Sequence, residues 1–307
     1  MADDLEGEMR RVLAAAGARS NLPVADAQLI RLHSNALFVI PDRDILVRIA
    51  TNPDALQGVT AAVHTTRWLA ARGFPCTVPA DINDQPIVEQ GRVVSFWRYL
   101  PTVAEPRPTT ADLGHLLREL HDQPLPPHPP DPLSDPFRSV SAAIDRTSHA
   151  ILDAHLRWLT SRIAELRQDW THLTYPHPRR LIHGDAHGNN LMRLSDGQVV
   201  LGDWDHVAVG PREWDLAQPH YTHRRFGHPG PTELDALADT YGWDIRDWSG
   251  LDTLIAIREI TGLAPYIRSA VANQASATEL AHRLDTLQRG LTTARWTPPN
   301  RRRSSTG

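Results

Sequence analysis

Lysine is absent from all 307 residues, so each of the 32 permanently charged basic side chains is an arginine. That absence removes whole reaction classes, because a Walker A loop, a pyridoxal Schiff base and a Ser-x-x-Lys nucleophile all need a lysine. Cysteine is nearly missing as well. The single Cys76 excludes an internal disulfide and a cysteine-built zinc site, which fits a reducing compartment. No apolar run approaches the roughly 20 residues needed to cross a bilayer. The start, Met1-Ala2-Asp3-Asp4-Leu5-Glu6, is acidic where a secretion signal would be basic and then apolar. A cytoplasmic address without a membrane partner is the expectation. Excess positive charge is lacking too: the net charge is −4, which leaves no electrostatic footprint for nucleic acid apart from Arg301-Arg302-Arg303.

What is present is enough apolar material, 41% of the chain, to bury a sizeable core in two lobes. Leu5, Met9, Val12, Leu13 and Ala16 recur at helical spacing before Gly17. Strands are expected over Ala27 to His33, Ala36 to Ile40 and Asp44 to Ile49, with turn chemistry at Pro41-Asp42-Arg43-Asp44. A helix from about Asp54 to Arg72 follows, then a turn at Asp84-Gln85 and a strongly β-prone run from Arg92 to Leu100. The pattern predicts a small antiparallel sheet crossed by one helix. Thr109-Thr110-Ala111-Asp112 has capping-box spacing and opens a helix through Leu113, Leu116, Leu117 and Leu120. The prolines from Pro124 to Pro136 then impose a stiff extended connector. One long helix is expected from Ala142 to about Trp170, and others over Thr232 to Tyr241, Leu251 to Ile267 and Thr278 to Thr293. The domain reading is 1–100, 101–297 and a disordered tail 298–307, with a nucleotide cleft between the two lobes.

The chemistry concentrates in Leu181-Ile182-His183-Gly184-Asp185-Ala186-His187-Gly188-Asn189-Asn190 and Leu201-Gly202-Asp203-Trp204-Asp205. An Asp, an amide five residues on (190 − 185) and a second Asp eighteen residues on (203 − 185) make a phosphoryl-transfer layout. The transition state of that reaction spreads negative charge over phosphoryl oxygens, so catalysis is positioning plus neutralisation by a hard cation. Asn190 and Asp203 offer the oxygens that Mg²⁺ accepts beside water and nucleotide. Asp185, off the metal, is placed to take the proton of an attacking hydroxyl. Gly184 stands where the kinase catalytic-loop signature has Arg, and Asp203-Trp204-Asp205 where it has D-F-G.

With those motifs, together with Gly210-Pro211-x-x-x-Asp215-Leu216-Ala217 and Leu117-x-x-Leu120-His121, the chain resembles the aminoglycoside phosphotransferase and choline kinase family from about Ile30 to Leu263. The resemblance implies an α+β, protein-kinase-like fold with a small antiparallel-sheet N-lobe and a larger, mainly helical C-lobe. It implies ATP and Mg²⁺ as cofactors and transfer of the γ-phosphate to a small hydroxylated molecule, such as an aminoglycoside-like antibiotic or another amino alcohol. Asp185 becomes the catalytic base, Asn190 and Asp203 the metal ligands, and Asp215 and His183 supports of the loop. Backbone groups near Trp97 and Tyr99 would face adenine, and the turn His33-Ser34-Asn35-Ala36 would stand over the phosphates. Arg48 replaces the usual phosphate-binding Lys. The following helix, which normally supplies a Glu to that cation, has none between Asp54 and Arg72.

Three readings compete. Gly184-Asp185-Ala186-His187-Gly188 also spells the first block of two-metal phosphoesterases, but their later Asn-His block is missing after Asn190. A kinase-fold module that binds without turnover is the other alternative, motivated by the missing helix Glu. Asp205 stands open between a second-metal contact and an ion-pair partner. For substrate amines the candidates are Glu233, Asp235, Asp239, Asp252 and above all Glu259, an acid on an otherwise apolar helix. His121 reads as a contact with a helix C-terminus.

Overall fold

In the computed structural model, residues 2–32 and 35–298 are described; Ser34 and all of the expected tail beyond Pro298 lie outside them. A first helix, α1 (Ala2–Arg19), precedes three strands, β1 (Gln28–Leu32), β2 (Asn35–Ile40) and β3 (Ile45–Ala50). Helix α2 (Leu56–Ala71) and strands β4 (Ile87–Glu89) and β5 (Arg92–Arg98) complete the N-terminal part. The five strands form one antiparallel sheet in the order β1-β2-β3-β5-β4.

The sheet's two faces follow from the period of two along each strand. Phe38, Val47, Ile49, Val94 and Phe96 pack under Met9, Val12, Leu13 and Ala16 of α1. The alternate residues Ala50, Val93 and Trp97 join Val59, Ala62, Val63 and Leu69 of α2 in a second core that continues into the C-terminal part. Arg48 shares the parity of Leu46 and Ala50, so alternation delivers its guanidinium to the side where the catalytic loops lie.

The C-terminal part holds α3 (Thr110–Asp122), α4 (Arg138–Thr147), α5 (Asp153–His172), strand β6 (Arg180–Ile182), the hairpin β7 (Leu191–Arg193) with β8 (Val199–Leu201), and β9 (Ala208–Gly210) beside β6. Helices α6 (Arg212–Phe226), α7 (Pro231–Tyr241), α8 (Leu251–Thr261), α9 (Ala264–Ala270) and α10 (Gln274–Gln288) follow. Thr109 caps α3 in the expected box, its hydroxyl accepting from Asp112 N while Asp112 returns the bond to Thr109 N. The proline-rich connector does run extended, with Leu133 N bonded to Val209 O and Val209 N to Asp131 O along β9. No described helix is long and apolar enough to cross a membrane.

Two expected helices are divided, and one further helix appears. The single helix from Ala142 to Trp170 is two, broken between Thr147 and Asp153, with the Thr147 hydroxyl folded back onto Ala143 O. The run Leu251 to Ile267 is divided by Gly262, which leaves room for the Tyr221 hydroxyl, and restarts with Pro265 in the first turn of α9. Helix α6 was not anticipated. Its residues from Glu213 to Tyr221 are buried without interruption and Pro219 lies within it, so no apolar stripe of period 3.6 marks it.

Candidate active site

Strand β6 ends at Ile182 and delivers His183, Gly184 and Asp185 to the end of the sheet pair. Gly184 has φ of +86°, and a Cβ there would lie 2.1 Å from His206 O, so only glycine fits at the position where the kinase catalytic-loop signature has an arginine. The loop is clamped from behind by Asp215, fully buried near the start of α6. Its two carboxylate oxygens accept from His183 N at 2.7 Å and Gly184 N at 2.8 Å. His121 Nε2 lies 3.2 Å from the same carboxylate, and His121 Nδ1 lies 2.9 Å from the Tyr241 hydroxyl. His121 stands in the last turn of α3, as expected, and is in addition a buried bridge from Asp215 to Tyr241 of α7. Burial alone would raise the Asp215 pKa, but the His121 hydrogen bond and charge and the His183 contacts turn the shift downward.

His183 is a framework group. Its Nε2 lies 2.9 Å from Gly202 O and its Nδ1 accepts from Asp185 N at 3.3 Å, so the neutral ring with hydrogen on Nε2 satisfies both. Desolvation holds its pKa below the ordinary histidine value despite Asp215 beside it. Its ring packs 4.7 Å from Trp204, which anchors the Asp203-Trp204-Asp205 turn in the core and meets Phe74 edge-on at 6.0 Å.

Asp185, Asn190 and Asp203 come together as anticipated from their spacing. Asn190 Nδ2 donates to Asp185 O at 2.9 Å, and Gly202 N to Asn190 O at 2.8 Å, so the Asp185 loop and the second acidic turn are tied through the asparagine. With its NH₂ engaged, the Asn190 side chain turns its carbonyl oxygen away from that bond. Asp203 has φ of +60°, a left-handed backbone that an aspartate tolerates better than most residues. Its carboxylate makes no hydrogen bond among the described residues, and Arg48 Nη2 is 3.9 Å away. A carboxamide oxygen and one half-exposed carboxylate are hard donors that suit a hexacoordinate Mg²⁺ completed by phosphate oxygens and water. Among the described residues no cluster of three His, Cys, Asp or Glu side chains forms a dedicated metal cage.

Burial would raise the Asp185 pKa. The His187 hydrogen bond and the charges of His187, His206 and Arg258 more than reverse this and hold it well below the usual carboxylate range. It is ionised at neutral pH. Arg258, from α8, donates to Trp214 O at 2.7 Å and Gly184 O at 3.3 Å while lying 3.9 Å over the Trp214 ring. Desolvation lowers its pKa to about 10, so it remains a fixed cation behind Asp185.

The partner of Arg48 is Asp205. Arg48 Nη1 donates to Asp205 Oδ1 at 2.6 Å and Nη2 to Asp205 Oδ2, a fork-to-fork pair. Of the two readings of Asp205 the structure shows the ion pair, and the carboxylate that the helix without glutamate does not supply comes from the acidic turn instead. Helix α2 makes room for it at Gly58, where a Cβ would stand 2.7 Å from Asp205 O. The pair was invisible in the sequence because its members are 157 residues apart.

On the nucleotide side, Tyr99 N donates to Asp44 O at 2.7 Å and Arg98 N to Val78 O at 2.8 Å, so these two amides are already paired within the protein. Trp97 is buried in the sheet, its indole donating to Ser95 Oγ at 2.9 Å. Asn35 is the first residue of β2, opposite Ala50, rather than part of a loop. Glu259 is no substrate contact. Its Oε1 accepts from Arg225 Nε at 2.6 Å in a buried pair under Trp296. Asp235 is held by Arg246 and Asp252 by Arg224, while Glu233 closes the cap of α7. Gln218 was missed altogether: its Nε2 donates to Asp185 Oδ1 at 3.1 Å from a helix the periodicity did not mark.

A two-lobed fold with this loop pair defines a kinase-like phosphotransferase, and solved structures of that kind superpose on it. Amicoumacin kinase hAmiN, in complex with AMP-PNP, Ca²⁺ and Ami, aligns at a TM-score of 0.68 over 96% of this chain and 98% of its own, at 11% identity. The choline/ethanolamine kinase family protein from Mesorhizobium loti aligns at 0.62 over 92% and 96%, at 16% identity. The GDP and kanamycin complex of APH(2")-IIia aligns at 0.60 over 91% and 99%, at 14% identity. No curated protein matches the sequence. The chain belongs to the phosphotransferase enzyme family, APH, whose family model matches residues 26–254.

Proposed function

We propose that the protein is an ATP-dependent O-phosphotransferase acting on a small hydroxylated acceptor, with Asp185 as the base. The observation that supports this most is the clamped loop. Asp215 fixes the backbone on which Asp185 stands, and Asn190 ties that loop to the turn bearing Asp203. The nucleotide lies between a lobe of residues 1–100 and one of residues 101–297, with Arg48 toward its phosphates. Asn190 and Asp203 hold Mg²⁺, which neutralises phosphate charge when bound. Asp185 accepts the hydrogen bond of the acceptor hydroxyl and orients its lone pair in line with the phosphorus. Because the carboxylate is a weak base, it takes the proton late, as the new O–P bond forms and the bond from the γ-phosphorus to the β,γ-bridging oxygen breaks to release ADP, which suits a loose transition state.

The acceptor is an aminoglycoside-like molecule or a simpler amino alcohol, as the similarity to antibiotic and choline kinases suggests. Four of the five late carboxylates that could meet a polyamine are engaged by arginines or a helix cap. That favours acceptors with one or two amines over polycations. The inert-module reading loses its motive once Asp205 serves Arg48.

The test is phosphate transfer from Mg²⁺-ATP to a panel containing kanamycin, choline, ethanolamine and neutral sugars. Transfer to at least one member by the wild type, lost in Asp185→Asn, is expected. Absence of both transfer and ATP hydrolysis across the panel contradicts the proposal.

A further inference from the structure

We infer that Gln218 is a positioning residue for Asp185, holding the carboxylate in the one rotamer that meets the acceptor; this rests on the phosphotransferase reading above. Gln218 lies three residues after Asp215, so both project from one face of α6. Asp215 grips the loop by its backbone, and Gln218 grips the reacting side chain itself, Nε2 to Asp185 Oδ1 at 3.1 Å. The orientation of this amide follows from the charge it faces, since an ionised carboxylate accepts only and the carboxamide must present its NH₂. On the other flank His187 Nε2 stands 3.4 Å from Asp185 Oδ2. The carboxylate is thus held between α6 and its own loop, one oxygen on each side.

Gln218 is 6% exposed, and its Oε1 is buried with no hydrogen-bond partner among the described residues. A packing role would be met better by an apolar side chain of the same length, because an unpaired buried carbonyl costs stability. What the carboxamide adds is the bond to the base. A carboxylate free to turn about Cβ–Cγ would present its lone pair to the hydroxyl only part of the time, and a fixed one does so whenever substrate arrives. Gln218 is therefore expected to act on turnover and to leave nucleotide affinity alone.

The experiment compares Gln218→Met, which keeps the volume and removes the donor, with Gln218→Glu, which sets a second carboxylate against the first, and with Gln218→Asn, which keeps a donor. Turnover is followed as Mg²⁺-ATP consumption and as transfer to kanamycin and choline, alongside melting temperature and the KM for ATP. Loss of one hydrogen bond to a charged group predicts about a tenfold fall in kcat for Gln218→Met and a larger fall for Gln218→Glu. Partial recovery is expected in Gln218→Asn, with the ATP KM within about twofold throughout. Gln218→Met combined with Asp185→Asn should be no slower than Asp185→Asn alone, because the glutamine has nothing left to position. A purely structural glutamine predicts wild-type kcat in Gln218→Met, or a loss that multiplies onto Asp185→Asn, and either result overturns the inference. Wild-type turnover in Asp185→Asn overturns the phosphotransferase reading itself, and the inference with it.

Discussion

Two assemblies of arginine and carboxylate are built into this molecule, and they differ in what is left over. At the C-terminal end Glu259 accepts from Arg225, which also donates to Leu291 O and Ala294 O and lies 4.5 Å over Trp296. Arg283 is likewise enclosed, with Glu279, the Tyr266 hydroxyl and Thr297 O as partners. Those charges point at one another. Around Asp185 the arginines are equally well placed, Arg48 on Asp205 and Arg258 on backbone oxygens, yet the side-chain oxygen Oδ1 of Asn190 and the Asp203 carboxylate accept no hydrogen bond from the described residues. The C-terminal carboxylates are used up by arginines, whereas the Asn190 amide oxygen and the half-exposed Asp203 carboxylate are the oxygens that the proposed function assigns to a nucleotide-bound cation.

The sharpest break between the two assemblies is expected from Asp185→Asn. It should lower turnover by two or more orders of magnitude in a coupled ATP assay while the melting temperature and nucleotide affinity stay near wild type. Asp205→Asn removes the fork-to-fork partner of Arg48. It should raise the KM for ATP by about tenfold, the scale of one charge-assisted hydrogen bond, since Arg48 loses its orienting partner. An unchanged KM would place Arg48 outside phosphate binding.

Glu259→Gln should do the reverse. Breaking a buried pair and leaving Arg225 uncompensated costs about 3 kcal/mol, read as a melting temperature several degrees lower, with turnover at 25 °C unaltered. Reduced kcat at an unchanged melting temperature would return Glu259 to the substrate site.

The smallest effect concerns His220, buried on α6, whose pKa burial and the nearby Arg246 lower to about 4. Between its ordinary value of 6.5 and about 4, the unfolded chain binds a proton that the folded one refuses. Stability from this group is therefore complete above pH 6.5 and declines as pH falls through that window. His220→Gln should shrink the difference in melting temperature between pH 7 and pH 5, and an unchanged difference would rule His220 out.

How much of this was legible in the sequence depended on whether the signal was local. The sheet strands, the α3 capping box and the spacing of Asp185, Asn190 and Asp203 are short-range patterns, and the structure realises them. Arg48 was legible as a cation on a strand, but its partner was not, because the pairing with Asp205 joins distant segments across Gly58. Glu259 drew attention as a polar residue among apolar ones, which marks burial and cannot say whether the partner is a ligand or an arginine. Helix α6 left no periodic trace because it is covered on nearly every side, and Gln218 went unseen with it.

The central claim is that Asn190 and Asp203 present their oxygens to a nucleotide-bound divalent cation, and calorimetric titration of AMP-PNP with and without Mg²⁺ tests it most directly. Wild-type protein should gain affinity when Mg²⁺ is present, and Asp203→Ala should lose that gain while its melting temperature holds. An equal Mg²⁺-dependent gain in the two proteins would contradict the account.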